Sequence, residues 1–291
     1  MRPLFLVNTL AGPSRRRDLQ GLIRAACGWK EFEVRPCGPR EELDELLTSV
    51  RGEGFDAVIA VGGDGTVHEI ARRLVGTGVP LGIVPTGSGN GFARHLGLPR
   101  EPRAAVLALS EAKPVAIDTA EVNGTGFIGV MGVGLEAEIA ARFAEHGTRG
   151  FRTYLRTGLR AVIGHHAGEI EVVADGIAST HLVSTLTVAN TGQYGNNARI
   201  APLASVRDGL LDVVLVGDVG LLAAVALGAR LFTGSIHRSR AVTTIRAREV
   251  IIRRATAGPA HLDGEPCILP AEVRVRNLPA SLHVLVTREP R

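Results

Sequence analysis

Between Ala57 and Glu69 the chain reads AVIAVGGDGTVHE: a short apolar run, a cluster of glycines around one acid, then a helical pattern from Val67 to Val75. Strand, glycine turn and helix is the order that aims backbone N–H groups and a helix N-terminus at one anion. Gly62, Gly63 and Gly65 remove the Cβ atoms that would keep a phosphate away from that backbone. Asp64 is the odd member. A carboxylate beside a phosphate cradle repels it, unless a cation lies between them or the acid enters the chemistry. The second candidate is His261-Leu262-Asp263-Gly264-Glu265-Pro266. In a strand, Asp263 and Glu265 would share one face, and two close carboxylates raise one pKa, which suits a general base for a hydroxyl. In an Asp-Gly hairpin turn they would be exposed acids instead, and both readings stand at this point.

The elements that must position these groups alternate in the first part of the chain. Leu4–Val7 is an apolar strand ending at Asn8-Thr9-Leu10-Ala11-Gly12, and Arg15–Ala26 has helical spacing. Phe32–Arg35 has strand character, Arg40–Arg51 helical character, and Leu81–Val84 is a further apolar strand. Its loop, Pro85-Thr86-Gly87-Ser88-Gly89-Asn90-Gly91-Phe92, supplies glycines and neutral hydrogen-bonding groups before a helix near Phe92. Strand alternating with helix predicts a doubly wound parallel sheet, with three loops at the strand C-termini.

After Pro114 the texture changes. Asn123-Gly124 marks a hairpin between Ala116–Val122 and Thr125–Val130. Gly132-Val133-Gly134-Leu135-Glu136-Ala137 matches a dinucleotide fingerprint only superficially, because no βαβ unit follows it. A helical region over 137–163 precedes strands at Glu169–Ala174, His181–Asn190, Leu211–Val216, Val242–Arg248, Val250–Arg254 and Glu272–Val275, with one helix at Val219–Phe232. Strands without intervening helices predict an antiparallel sandwich. The expected organisation is an α/β nucleotide-binding domain over 1–115 and a β-rich domain over 116–279. A last strand, Leu282–Val286, would return to the first domain, and the active site would lie in the cleft between the two.

Composition excludes several classes. Lys30 and Lys113 are the only lysines among 291 residues, and no Walker-type loop or protein-kinase signature is present. Cys27, Cys37 and Cys267 have neither disulfide-framework nor zinc spacing. The apolar core of the N-terminus is too short for a signal peptide, and Val219–Ala229 is about half of a bilayer crossing. The expectation is a cytoplasmic protein with no transmembrane segment and no nucleic-acid partner, touching the inner membrane face peripherally.

GGDGT followed by a helix resembles the phosphate loop of the diacylglycerol, sphingosine and NAD kinase superfamily. With the loop after Asn8, PTGSGN, A-N-x-x-x-x-G at Asn190, D-G-L-L-D at Asp208 and D-G-E at Asp263, the ordered set is similar to bacterial lipid kinases of the diacylglycerol kinase catalytic family. That resemblance implies ATP and Mg2+ as cofactors, a lipid substrate at a membrane surface and a role in phospholipid metabolism; a homodimer is a compatible assembly. It implies that Asn8, Thr9, Leu10, Ala11, Gly12, Gly62, Gly63, Asp64, Gly65, Thr66, Val67, His68 and Ser88 line the nucleotide. Glu265, supported by Asp263, would take the acceptor proton, and Asp208 with the carbonyls of Ser205 and Leu210 would hold magnesium. Asp118 resembles an acid of the same polar network. Arg94, Arg100, Arg238 and Arg240 could meet phosphates or anionic lipid, and apolar residues around Val219–Phe232 could admit acyl chains. The chain departs from the family at Thr9 (usually Pro), His68 (usually Asn), Ser88 (often Thr) and Gly91 (often Asp). NAD kinase and a nucleotide-binding regulatory protein without kinase activity are the alternatives.

Overall fold

The computed structural model describes residues 1–8, 18–38, 40–145 and 167–290. It divides into two units, Met1–Asp118 with Pro279–Arg291, and Thr119–Leu278. In the first, strands β1 (Pro3–Asn8), β2 (Glu33–Cys37), β3 (Ala57–Gly62) and β4 (Leu81–Pro85) alternate with helices α1 (Leu19–Ala26), α2 (Arg40–Ser49), α3 (Asp64–Leu74), α4 (Gly91–His95) and α5 (Pro102–Leu109). The strands are all parallel in the order β2-β1-β3-β4, and Val284 pairs with Leu81 at the end of that row. Every residue of β3 is buried, the pattern of a parallel strand covered on both faces. Phe5, Ile59 and Val61 pack with Ile23 of α1 and Val106 and Leu109 of α5.

Two helices differ from their sequence expectation for local reasons. α3 starts at Asp64 instead of Val67, with Gly63 as its extended N-cap, so the acid belongs to the first helical turn. α5 has no counterpart in the sequence reading. Glu101 caps it by accepting from Arg103 and Ala104 N–H, and Pro102 stands at its first position, where no N–H is needed. Thr9 to Gly12 and the first three residues of the expected Arg15–Ala26 helix lie outside the described residues.

The second unit contains the end of β5 (Lys113–Val122), then β6 (Thr125–Phe127), β7 (Val130–Gly134), α6 (Leu135–Glu145), β8 (Gly168–Ala174), β9 (Ile177–Ala189) and β10 (Leu211–Gly217). There follow α7 (Leu221–Thr233), a 3-10 turn (Ile236–Arg238), β11 (Val242–Ala247), β12 (Glu249–Arg254), β13 (Gly258–Leu262), β14 (Glu265–Leu269) and β15 (Glu272–Val286). The strands are antiparallel in the order β14-β13-β7-β9-β8-β12-β15, with β10 pairing on β9 and β11 on β10. Inward residues such as Phe127, Met131, Val172, Leu186, Val213, Ile252 and Val275 form one apolar cluster.

One expectation is corrected here, one runs beyond the described residues, and one discounted motif has a packing role. The strands expected at Glu272–Val275 and Leu282–Val286 are one strand, β15, which runs on through Pro279 and Ala280, the latter at φ 49°. The helix expected over 137–163 is described only as α6, and residues 146–163 lie outside the described ones. Gly132 and Gly134, in the discounted fingerprint, serve packing. Gly134 has φ +84° and a Cβ there would lie 2.5 Å from the Ser184 carbonyl oxygen, while the Glu136 carboxyl fills the space a Gly132 side chain would need.

Candidate active site

In the first unit, GGDGT and PTGSGN form one interlocked surface. Asp64 resolves its own puzzle: Oδ2 accepts from Asn90 N–H and Oδ1 from Gly91 N–H, each at 2.7 Å. Its charge is spent on the N-terminus of α4, where a carboxylate is favoured. The two loops touch through backbone, since a Cβ on Gly87 would lie 2.7 Å from the Cα of Gly63. Thr86 N–H donates to the Gly62 carbonyl at 2.8 Å, continuing the β3–β4 ladder into the loops. Asn90, held at φ 48°, accepts from Gly87 N–H at 3.1 Å and donates to its carbonyl at 2.8 Å. Asn8 Nδ2 donates to Thr66 Oγ1 at 2.6 Å, tying the end of β1 to the first turn of α3. Gly65 is exposed and a Cβ there meets nothing within 4 Å, so the first turn of α3 is open to an anion.

The remaining residues of this set are placed as follows. Ser88 is exposed at the loop tip. Val67 and His68 are buried, His68 with its ring edge-on to Phe92 at 6.5 Å between centroids. Arg94, a sequence candidate for phosphate, donates to the Gly89 carbonyl at 2.9 Å and holds the loop. Burial lowers His95 to about 4, leaving its ring neutral at pH 7. Asp118, 4% exposed, accepts from Ala280 N–H at 2.8 Å and ties β5 to β15.

In the second unit, Asp263 and Gly264 are the central residues of the β13–β14 hairpin, with φ 52° and 84°, and Leu262 pairs with Glu265. Positive φ at both positions is the turn that twists with its strands. This corrects the strand reading that placed both carboxylates on one face. Asp263 instead accepts from the N–H groups of Ile128, Gly129 and Val130 at 3.0, 2.7 and 3.0 Å, while Glu265 opens β14 half-buried. Asn190 grips the same segment from the other side: its N–H donates to the Gly129 carbonyl at 2.9 Å and its Nδ2 to the Ile128 carbonyl at 2.8 Å. The A-N and D-G-E motifs, far apart in sequence, thus meet on residues 128–130.

Behind this turn lies a polar group that sequence reasoning missed. Glu136 Oε2 accepts from Thr187 Oγ1 at 2.8 Å and from the Tyr194 hydroxyl, and Glu136 Oε1 lies 3.7 Å from His261 Nε2. His261 Nδ1 accepts from Gly264 N–H at 3.3 Å, and its Nε2 faces Glu136. Glu136, Thr187 and His261 are all buried. The signal for Glu136 was the glycine four residues before it, which leaves room for its carboxyl.

These two constellations can be compared with known proteins. A model of the diacylglycerol kinase catalytic domain matches residues 2–122, and one of the YegS C-terminal NAD kinase beta sandwich-like domain matches residues 129–286. A Mycobacterium tuberculosis protein named diacylglycerol kinase is 31% identical over 262 residues, covering 86% of this chain and 83% of its own. The chain belongs to the diacylglycerol kinase and YegS-like lipid kinase family. A Pseudomonas aeruginosa relative named probable lipid kinase YegS-like is 32% identical over 282 residues, covering 90% of this chain and 88% of its own. A crystal structure from Bacillus anthracis str. Sterne, described as a candidate diacylglycerol kinase, has the same fold with a TM-score of 0.83 at 22% identity, covering 98% of this chain and 95% of its own.

The turn at Asp208 is the place where the family resemblance implies magnesium, and its donors are arranged as follows. Asp208 Oδ1 accepts from Leu210 N–H at 3.1 Å, and Oδ2 pairs with the Arg246 guanidinium. Arg246 stands opposite Asp212 across the β10–β11 ladder, with Nε 3.8 Å from Asp212 Oδ1. Burial pushes Asp212 up to about 6, although Arg246 opposes the shift. A cation already neutralises the carboxylate, and a dication sharing Oδ2 would be repelled by the guanidinium. Among the described residues no three His, Cys, Asp or Glu side chains gather as a metal cluster. The set Ser205, Asp208 and Leu210 thus offers one carboxylate, already paired with Arg246, and no step below passes through a metal there. Without nucleotide, thermal unfolding is expected to give the same Tm in chelator and in magnesium. Arg246→Gln should lower Tm by about 1–3 °C, since the pair is half-exposed, and make it respond to magnesium.

Proposed function

We propose that this chain transfers the γ-phosphate of ATP to the hydroxyl of a lipid, diacylglycerol or a related lipid. The observation that carries the reading is that a chain of this kinase family holds both the interlocked GGDGT–PTGSGN surface and the D-G-E turn. The open first turn of α3, with Gly62, Gly63 and Gly65, suits the nucleotide phosphates, and Asn8, Thr66 and Ser88 offer neutral hydrogen bonds beside it. Thr9 to Gly12 belong to the same proposal through the family resemblance. A divalent ion arriving with ATP would supply neutralisation of the phosphate charge. Glu265 takes the proton from the lipid hydroxyl while the acceptor oxygen bonds to the γ-phosphorus. The bond from that phosphorus to the β–γ bridging oxygen breaks, and ADP leaves. Asp263 acts by holding the turn that presents Glu265, because its carboxylate is occupied by the three N–H groups of residues 128–130.

The description of the second matched domain as NAD kinase-like favours one rival acceptor, NAD. Labelled γ-phosphate supplied as Mg-ATP should enter a lipid presented in mixed micelles and not NAD. Label in NAD alone would replace the lipid reading. Demonstrated ATP binding with no transfer to either acceptor would support the regulatory alternative.

A further inference from the structure

The outer face of α7 is chemically unlike a solvated helix. Leu222, Val225, Ala226, Ala229 and Thr233 follow each other at helical spacing and are all exposed. Leu222 is 88% and Val225 50% exposed, with Leu221 beside them at 45%. The opposite face packs inward, with Leu227 in a cluster containing Ile200, Val214 and Ile236. A surface helix ordinarily carries charge on its outer stripe, and one that is apolar all round calls for a cover. No Asp or Glu occurs between Asp218 and Glu249, whereas Arg230, Arg238 and Arg240 cluster at or just beyond the C-terminal end of the helix. Arg238 and Arg240 are exposed and form no ion pair with the described residues.

We propose that α7 docks this protein on an anionic lipid bilayer, lying in the interface with Leu221, Leu222 and Val225 among the acyl chains. The arginines after it meet the lipid phosphates. An apolar stripe flanked by unpaired positive charge matches an anionic lipid surface, and a helix of 13 residues lies on such a surface without crossing it. Among the described residues no helix is long and apolar enough to span a membrane. The inference deepens the lipid-kinase reading by naming how the protein reaches its substrate, and in that sense it rests on it.

The test is co-sedimentation of the full chain, without ATP, with vesicles of phosphatidylcholine alone or mixed with phosphatidylglycerol. Wild type should bind the mixed vesicles and bind the neutral ones about tenfold or more weakly. Leu222→Glu with Val225→Glu should lower binding to the mixed vesicles about tenfold or more, at unchanged Tm because both sites are exposed. Arg238→Gln with Arg240→Gln should reduce binding to the mixed vesicles only. Phosphorylation of substrate held in the mixed vesicles should fall in the Leu222/Val225 variant in step with its loss of vesicle binding. Vesicle binding without transfer to any lipid would retain the docking surface and remove the kinase reading. Equal vesicle binding by wild type and variant would overturn the proposal. So would a wild-type dimer in sedimentation equilibrium that the variant dissociates, since a second copy would then cover the face.

Discussion

Glu265→Gln is expected to lower the rate of phosphoryl transfer about 10²- to 10⁴-fold while leaving ATP affinity unchanged, because glutamine keeps the shape of the side chain and cannot accept the proton. Glu265 opens β14 opposite Leu262, and the β13–β14 ladder holds its backbone. The substitution therefore leaves the fold in place. Asp263→Asn is the informative contrast. It exchanges one of the carboxylate oxygens that receive Ile128, Gly129 and Val130 N–H for an amide donor, so it should lower both Tm and rate. Rapid single-turnover measurement with labelled ATP, with Tm recorded alongside, separates the chemical loss from the structural one. A Glu265→Gln enzyme at the wild-type single-turnover rate would remove Glu265 from the base role.

The contrast also shows what kind of information the chain displays locally. β3 and the presence of a helix after it are legible because an unbroken buried strand, glycines and a helical period lie within a dozen consecutive residues, although α3 begins three residues before that period, at Asp64. D-G-E is legible as a motif, yet its conformation is not: the same three residues satisfy a strand or a hairpin turn. Positive φ at Asp263 is decided by where β13 and β14 pair. Glu136 was hidden for a related reason. Its partners Thr187 and Tyr194 stand 51 and 58 positions away, and nothing in GVGLEA announces them. Arg246 is likewise an ordinary arginine in a strand until β10 and β11 set it opposite Asp212. Donors and acceptors can be counted in a sequence, but the sheet register assigns them to one another.

The largest structural effect is expected at Asp64, where such an assignment joins two motifs. Asn90 and Gly91 lie 26 and 27 residues beyond it, and their N–H groups are the ones the first turn of α4 cannot satisfy internally. Asp64→Asn turns an amide N–H2 toward one of them, leaving a donor facing a donor. Losing a charge-assisted bond and stranding a backbone N–H costs about 2–3 kcal/mol, or about 4–10 °C in Tm. The PTGSGN loop would then detach from GGDGT, and ATP affinity should fall about tenfold or more because both phosphate-facing segments lose their common anchor. The two roles open to this acid give opposite results in the absence of nucleotide. A clamp loses Tm in the apo protein, with ATP affinity falling as a consequence. An acid that served only a magnesium ion on ATP would leave the apo Tm unchanged and weaken Mg-ATP alone. Thermal unfolding without ligand, followed by titration with ATP in the presence and absence of magnesium, decides between them. The two hydrogen bonds at 2.7 Å predict the clamp.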